Sequence, residues 1–326
     1  MMTVVELEHV ENVKFYDLHP PLADFKQEVL EGLKAKSKYL SPKFFYDKQG
    51  SELFNQITKL PEYYPTNTEI TLLDTHQSEM VGLLGENCVL IELGSGSSHK
   101  IRTLLTALEP AAYVPMDISK QHLLDSANIL AEDYPDLSIH AVCADYSTDF
   151  ELPYRPDDLP HAAFFPGSSI GNFEPDQAQA LLARTARLLG QGGRLLIGVD
   201  LKKDQQILHD AYNDAQGVTA AFNLNLLKRI NEELGGNFVI ENFKHDAFYN
   251  ADLGRVEMHL VSKMAQKITI DGHVFSFDRG ESIHTESSYK YSVSEFQQLA
   301  EKAGYAVNTV WTDEQNLFSV HCFQVK

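Results

Sequence analysis

The stretch CVLIELGSGSSHKIRTLL, residues 88–105, combines a turn that can hold an anion or nucleoside with the elements that would aim it. Cys88, Val89, Leu90, Ile91 and Leu93 form an apolar run broken only by Glu92; Gly94 and Gly96 follow among serines, and helix spacing then resumes. This is the pattern of a strand, a tight turn and a helix opening, which points backbone N–H groups and the positive end of a helix dipole at whatever lies above. A P-loop needs a glycine directly before its lysine and Ser or Thr after it, whereas Lys100 lies between His99 and Ile101. The dinucleotide pattern G-x-G-x-x-G begins correctly with Gly94 and Gly96 but has His99 in its third place, so a shorter nucleoside fits better.

Asp117 ends a second apolar run in YVPMDIS, where a carboxylate accepts both hydroxyls of a ribose. NAD and a nucleoside donor share that need, and the same aspartate suits the cap of the helix that follows. After the third run comes VCADYS. Asp145 there can accept from an exocyclic amine while the Tyr146 ring packs against adenine, the alternative being an ordinary turn aspartate. Together these positions suit S-adenosylmethionine. Methyl transfer from a sulfonium is an in-line displacement that needs no metal and no covalent intermediate, so alignment and charge placement are what a protein supplies. The 13 histidines show no paired H-x-x-x-H spacing, and no metal site is expected.

Positioning these groups requires a sheet. Strand-like runs at 88–93, 112–117, 138–144, 161–166 and 194–200 alternate with helical stretches at 98–108, 119–134 and 175–190, which predicts an α/β fold with a doubly wound parallel sheet. The last segment reads as a helix ending at Gly304 and two strands joined by the polar loop TDEQN, an antiparallel hairpin at the sheet edge. Residues 1–65 and 201–290 do not follow the alternation and read as a second, smaller α+β lobe. The methyl-donor domain is thus expected over 66–200 and 291–326.

Composition sets limits on partners. A formal charge of −19 with only 27 Lys and Arg disfavours nucleic acid. Cys88, Cys143 and Cys322 are far apart, lack metal-ligand spacing and read as buried thiols. The acidic start of the chain has no basic segment followed by an apolar core, and no window of about 18 apolar residues occurs, so a cytoplasmic protein without membrane contact is expected.

Six blocks in order, PEYYPTNTE, IELGSGSSHK, FFPGSSIGNF, AYNDAQGVTAAFN, VEMHL and HTESS, resemble the histidine-specific Nα-methyltransferases of ergothioneine biosynthesis across nearly the whole chain. The resemblance implies a Rossmann-like methyltransferase domain that takes S-adenosylmethionine through Gly94, Lys100, Asp117 and Asp145, and an amino-acid site between it and the second lobe. It further implies that Tyr63, Asn172 and Tyr212 hold the carboxylate and amine of L-histidine, that Glu286 and Ser288 bind its imidazole, and that Met258 forms a pocket wall. The implied reaction is three methyl transfers to the α-nitrogen, giving hercynine; a monomer is compatible with the sequence, which leaves the oligomeric state open.

The chemistry of those residues agrees with that assignment. The nucleophile must be a neutral amine, and Tyr63, Asn172 and Tyr212 are neutral hydrogen-bonding groups that put no cation beside the donor's sulfonium. The same features leave two other classes open: a methyltransferase of another amino acid or small amine, and a protein that binds the nucleoside without turnover. The Glu286 and Ser288 pair favours the first reading, since an acceptor and a hydroxyl suit the two ring nitrogens.

Overall fold

The computed structural model describes residues 3–5, 12–18, 25–96 and 99–326, which fold as two compact units. One comprises the described residues among 1–20 with 68–201 and 291–326; the other comprises those among 21–67 with 202–290. In chain order the elements are β1 (Thr3–Val5), β2 (Val13–Asp17), α1 (Phe25–Lys34), α2 (Lys48–Ile57), α3 (Tyr64–Leu84), β3 (Val89–Leu93), α4 (His99–Leu108), β4 (Ala112–Asp117), α5 (Lys120–Asp133) and β5 (Ser138–Cys143). They continue with β6 (His161–Phe165), α6 (Pro175–Leu189), β7 (Arg194–Asp200), α7 (Gln205–Tyr212), α8 (Val218–Leu234), β8 (Phe243–Asn250) and β9 (Arg255–Ser262). The chain closes with β10 (Gln266–Ile270), β11 (His273–Phe277), β12 (Ser282–Tyr289), α9 (Val293–Lys302), β13 (Tyr305–Thr312) and β14 (Phe318–Val325).

The first unit is built on a nine-stranded sheet in the order β1-β2-β5-β4-β3-β6-β7-β14-β13. The six strands from β2 to β7 in that order pair in parallel. The core of that sheet reads as continuous apolar sequence because it is covered on both faces: every residue of β3 and β6 is buried. The alternation read from the sequence corresponds to β3 through β7 with α4, α5 and α6 between them, and TDEQN joins β13 to β14, which pairs antiparallel with β7.

One expectation fails. The sequence reading puts all of 1–65 in the second lobe, yet β1 and β2 belong to the first unit's sheet. β2 runs parallel to β5 from Val13 opposite Ile139 to Asp17 opposite Cys143, with Phe15 buried. A five-residue strand carrying Lys14 and Asp17 has too little apolar run to announce itself.

From β3 the chain steps to β4 and β5 on one side, and β6 and β7 lie on the other. This reversal opens a crevice beyond the carboxyl ends of β3 and β6, where open α/β sheets bind ligands.

In the second unit a three-stranded antiparallel sheet, β12-β9-β8, and the hairpin β10-β11 pack against helices around a separate core that includes Leu208, Phe222, Leu226, Val256, Met258 and Ile283. Among the described residues no helix is long and apolar enough to cross a membrane.

Candidate active site

In the first unit the turn after β3 is shaped by its glycines. Gly94 (φ +70°) and Gly96 (φ +39°) take left-handed conformations, and a Cβ on Gly94 would come within 3.4 Å of the Tyr146 hydroxyl. Asp117, at the end of β4, accepts from the backbone N–H of Ser119 at 2.8 Å and of Gly96 at 3.3 Å. Its carboxylate therefore ties β4 to the glycine turn and still has lone pairs to offer. Burial raises its pKa. Asp145 uses one oxygen to accept from the backbone and hydroxyl of Ser147; its other oxygen has no hydrogen bond among the described residues. Tyr146 stands edge-on to Phe165 at 5.7 Å.

Lys100 occupies the first turn of α4, but its ammonium is committed to Glu69, a fully buried carboxylate on α3. Glu69 also accepts from the backbone N–H of Gly167 through both oxygens, at 3.0 and 2.9 Å. It thereby fixes the turn after β6, where Gly167 (φ +77°) and Ser168 (φ +56°) are left-handed. That turn leads into the short 3-10 helix Ser169–Asn172 that carries Asn172, half-buried.

The second unit brings together Tyr63, Tyr212, Met258, Glu286 and Ser288. Asp204 caps α7 by accepting from the N–H of Gln206 at 2.8 Å, and the far end of α7 is held to β8, where a ring nitrogen of His245 lies 2.8 Å from the carbonyl of Tyr212. Tyr212 is buried with its ring edge-on to Tyr63 at 6.4 Å. Tyr64, next to Tyr63 in the chain, accepts a hydrogen bond from Lys203 at 2.5 Å.

On β12 a bulge between His284 and Glu286 inserts Thr285, so Glu286 pairs with Met258 and Ser288 with Val256. Ile283 and Glu286 are three residues apart and would face opposite ways on a regular strand; the bulge lets Glu286 share the face of Met258. Glu286 is half-buried, and burial pushes its carboxyl up to about 7, with Lys290 pulling the other way. Tyr212 donates to the Ser288 hydroxyl at 2.9 Å, and Lys290 donates to both, at 3.0 Å to Tyr212 and 2.8 Å to Ser288.

A family model for SAM-dependent histidine-specific methyltransferases matches residues 25–325. The chain belongs to that family. It is 38% identical over 305 residues to a histidine N-alpha-methyltransferase of Mycolicibacterium smegmatis, covering 90% of this chain and 93% of that one. A histidine N-alpha-methyltransferase of Mycobacterium tuberculosis is 37% identical over 90% of this chain and 93% of its own length. A 4-dimethylallyltryptophan N-methyltransferase of Claviceps purpurea is 28% identical over 88% of this chain and 91% of its own. The methyl donor of this methyltransferase is S-adenosylmethionine.

Several of the methyltransferase's buried polar residues escape a motif reading. Glu69 ends the block PEYYPTNTE, but nothing in an acidic residue on a helix reveals that it is enclosed. A clue lies in Gly198 of β7, where a Cβ would sit 1.9 Å from a Glu69 oxygen. Glu92 interrupts an otherwise apolar strand; it accepts from the Tyr113 hydroxyl, and burial pushes its carboxyl up to about 8. Lys290 follows HTESS by two residues and puts a cation behind Tyr212, where neutral groups alone are expected. Glu257, His259 and His284 bring possible ligand atoms within 4.8 Å of one another, a trio that sequence spacing does not reveal. The Glu257 carboxylate is already held by Arg255 at 2.9 Å and Asn250 at 3.0 Å.

Proposed function

We propose that this methyltransferase transfers methyl groups from S-adenosylmethionine to the α-amino nitrogen of L-histidine three times, giving hercynine. The observation that carries the reading is the pair on β12. Glu286 offers a carboxylate acceptor and Ser288 a hydroxyl, two residues apart on one face, matching the one N–H and one lone pair of a neutral imidazole. The relatives named for histidine support the same substrate, while the tryptophan-derivative relative shows that the framework accommodates other ring systems.

The donor suits the first unit. The glycine turn leaves room for close backbone approach, Asp117 has lone pairs for ribose hydroxyls, the unspent Asp145 oxygen can accept from an adenine amine, and the Tyr146 ring offers an apolar face. Lys100 acts at one remove, through Glu69 and the turn it fixes. The donor supplies an electrophilic methyl group; the chain's own residues position the nucleophile.

Tyr63, Asn172 and Tyr212 are the groups assigned to the carboxylate and amine, and Met258, paired with Glu286 across β9 and β12, is assigned to a pocket wall. The α-amine reacts only when neutral, which at a reference pKa of about 8 or above makes turnover rise as the medium becomes more alkaline. Each product short of the quaternary ammonium still has a lone pair, and the faces of Tyr63 and Tyr212 accommodate the growing cation. We place the reaction in the cytoplasm on a small molecule, since the chain is strongly acidic and its described helices do not span membranes.

Incubation with S-adenosylmethionine and each of the twenty amino acids, read by mass, tests the proposal. Histidine alone should gain up to three methyl groups. Preferred methylation of tryptophan or of another amine would replace it with the sister reading.

A further inference from the structure

Ser288 is buried and fully occupied as an acceptor. A hydroxyl has two acceptor lone pairs and one proton. At Ser288 one lone pair takes the Tyr212 O–H at 2.9 Å and the other takes the Lys290 ammonium at 2.8 Å. An ammonium has no lone pair and can only donate. Lys290 also donates to the Tyr212 oxygen at 3.0 Å, so the ammonium can take neither hydroxyl's proton, and the Tyr212 O–H is donated to Ser288. Lys290, Ser288 and Tyr212 are 2%, 5% and 7% exposed, so bulk water has little access to reverse the order. The spacing explains the convergence: Glu286, Ser288 and Lys290 follow the period of two that puts side chains on one face of β12 and its continuation.

From this we infer that Lys290 is a positioning residue that fixes Ser288 as a hydrogen-bond donor, so that the site accepts a ring with a bare lone pair at that point and rejects one presenting N–H or C–H. This rests on the reading that Ser288 takes a ring nitrogen of the substrate. Glu286 accepts the N–H of the imidazole while Ser288 donates to its other nitrogen, and the two together select the neutral ring. A burial cost for a cation in this place then has a use: a neutral hydroxyl partner at 290 could both donate and accept, and Ser288 would be free to turn.

The test compares kcat/KM for histidine with that for β-(pyrrol-2-yl)alanine and β-(pyrrol-3-yl)alanine, each of which keeps one ring N–H and puts a C–H in place of the other nitrogen. The wild type should favour histidine over the better pyrrole isomer by about 5- to 150-fold, the effect of leaving one buried donor unpaired. In Lys290→Met the ratio should fall several-fold towards one. Lys290→Gln, whose amide both donates and accepts, should give an intermediate ratio and serves where Lys290→Met does not fold, as judged by its melting temperature and S-adenosylhomocysteine binding. A purely structural lysine would lower both rates together and leave the ratio alone; an unchanged ratio in a folded variant overturns the inference. Ser288→Ala separates the premise: if the ratio survives there, Ser288 does not read the ring, whereas collapse in Ser288→Ala with no change at Lys290 sinks only the role of the lysine.

Discussion

Two carboxylates withdrawn from solvent to different degrees, one in each unit, are built to opposite plans. Glu69 in the first unit is fully buried and saturated: it takes the Lys100 ammonium and the backbone N–H of Gly167, and Gly198 is a glycine where a side chain would strike it. Glu286 in the second unit is half-buried, and burial lifts its carboxyl to about 7 with only Lys290 pulling it down. A saturated carboxylate holds a turn in place. An unsaturated one suits the ligand role proposed for Glu286, at some expense in stability, as functional sites commonly are. The difference teaches that burial alone does not mark a site residue; what matters is whether the protein has supplied the partner.

The largest effect should therefore come from breaking the saturated group. Glu69→Ala strands the Lys100 ammonium and the Gly167 N–H, and removing one partner of a buried pair costs about 3–5 kcal/mol. The lower end applies, because Lys100 keeps 17% side-chain exposure. A urea midpoint close to that of the wild type would mean that Glu69 is not the lock described here.

The same contrast explains what the sequence discloses. β3 through β7 with their helices are legible because parallel strands covered on both faces become unbroken apolar runs, and because the proposed donor site is read from contiguous motifs at strand ends. The second unit is less legible. On its exposed sheets burial alternates, as in β11, where only Phe275 and Phe277 are buried, and the residues proposed for its site stand at 63, 212, 258, 286 and 288. Only resemblance groups them in the sequence. The bulge at Thr285 has no sequence signal, yet it decides which way Glu286 faces. Lys290 looks like a solvated charge until Tyr212 and Ser288 are seen against it.

Next in size, Glu286→Ala should lower kcat/KM for histidine about 10- to 150-fold, equivalent to roughly 1.5–3 kcal/mol, by removing the acceptor of the ring N–H. Calorimetric donor affinity should not move. Unchanged histidine turnover would take the main support from the imidazole assignment. The mirror experiment lies in the first unit: Asp117→Ala should weaken S-adenosylmethionine binding by about 1–3 kcal/mol through the loss of the ribose acceptor. If calorimetry on the folded variant gives the wild-type affinity, Asp117 serves only the turn at Gly96 and Ser119.

The smallest effect is the one that separates the two carboxylates by sign. A carboxyl raised from about 4.5 unfolded to about 7 folded contributes stability that is fully present below pH 4.5 and is lost as pH rises through 7, because folding then forces a charge into a site that resists it. Glu286→Gln stays neutral at every pH. It should match the wild type near pH 4.5 and be more stable at pH 8, by on the order of 1–2 kcal/mol once the remaining solvent access is allowed for. Glu69→Gln should destabilise, because it removes the carboxylate oxygen that Lys100 and Gly167 hold. Urea denaturation of both variants at the two pH values gives the comparison directly, since groups common to wild type and variant cancel in the difference. A Glu286→Gln gain that does not change between pH 4.5 and 8 would show that the carboxyl is not strained by its charge. Glu286 would then be a satisfied residue like Glu69, and its claim to be waiting for an imidazole would fail.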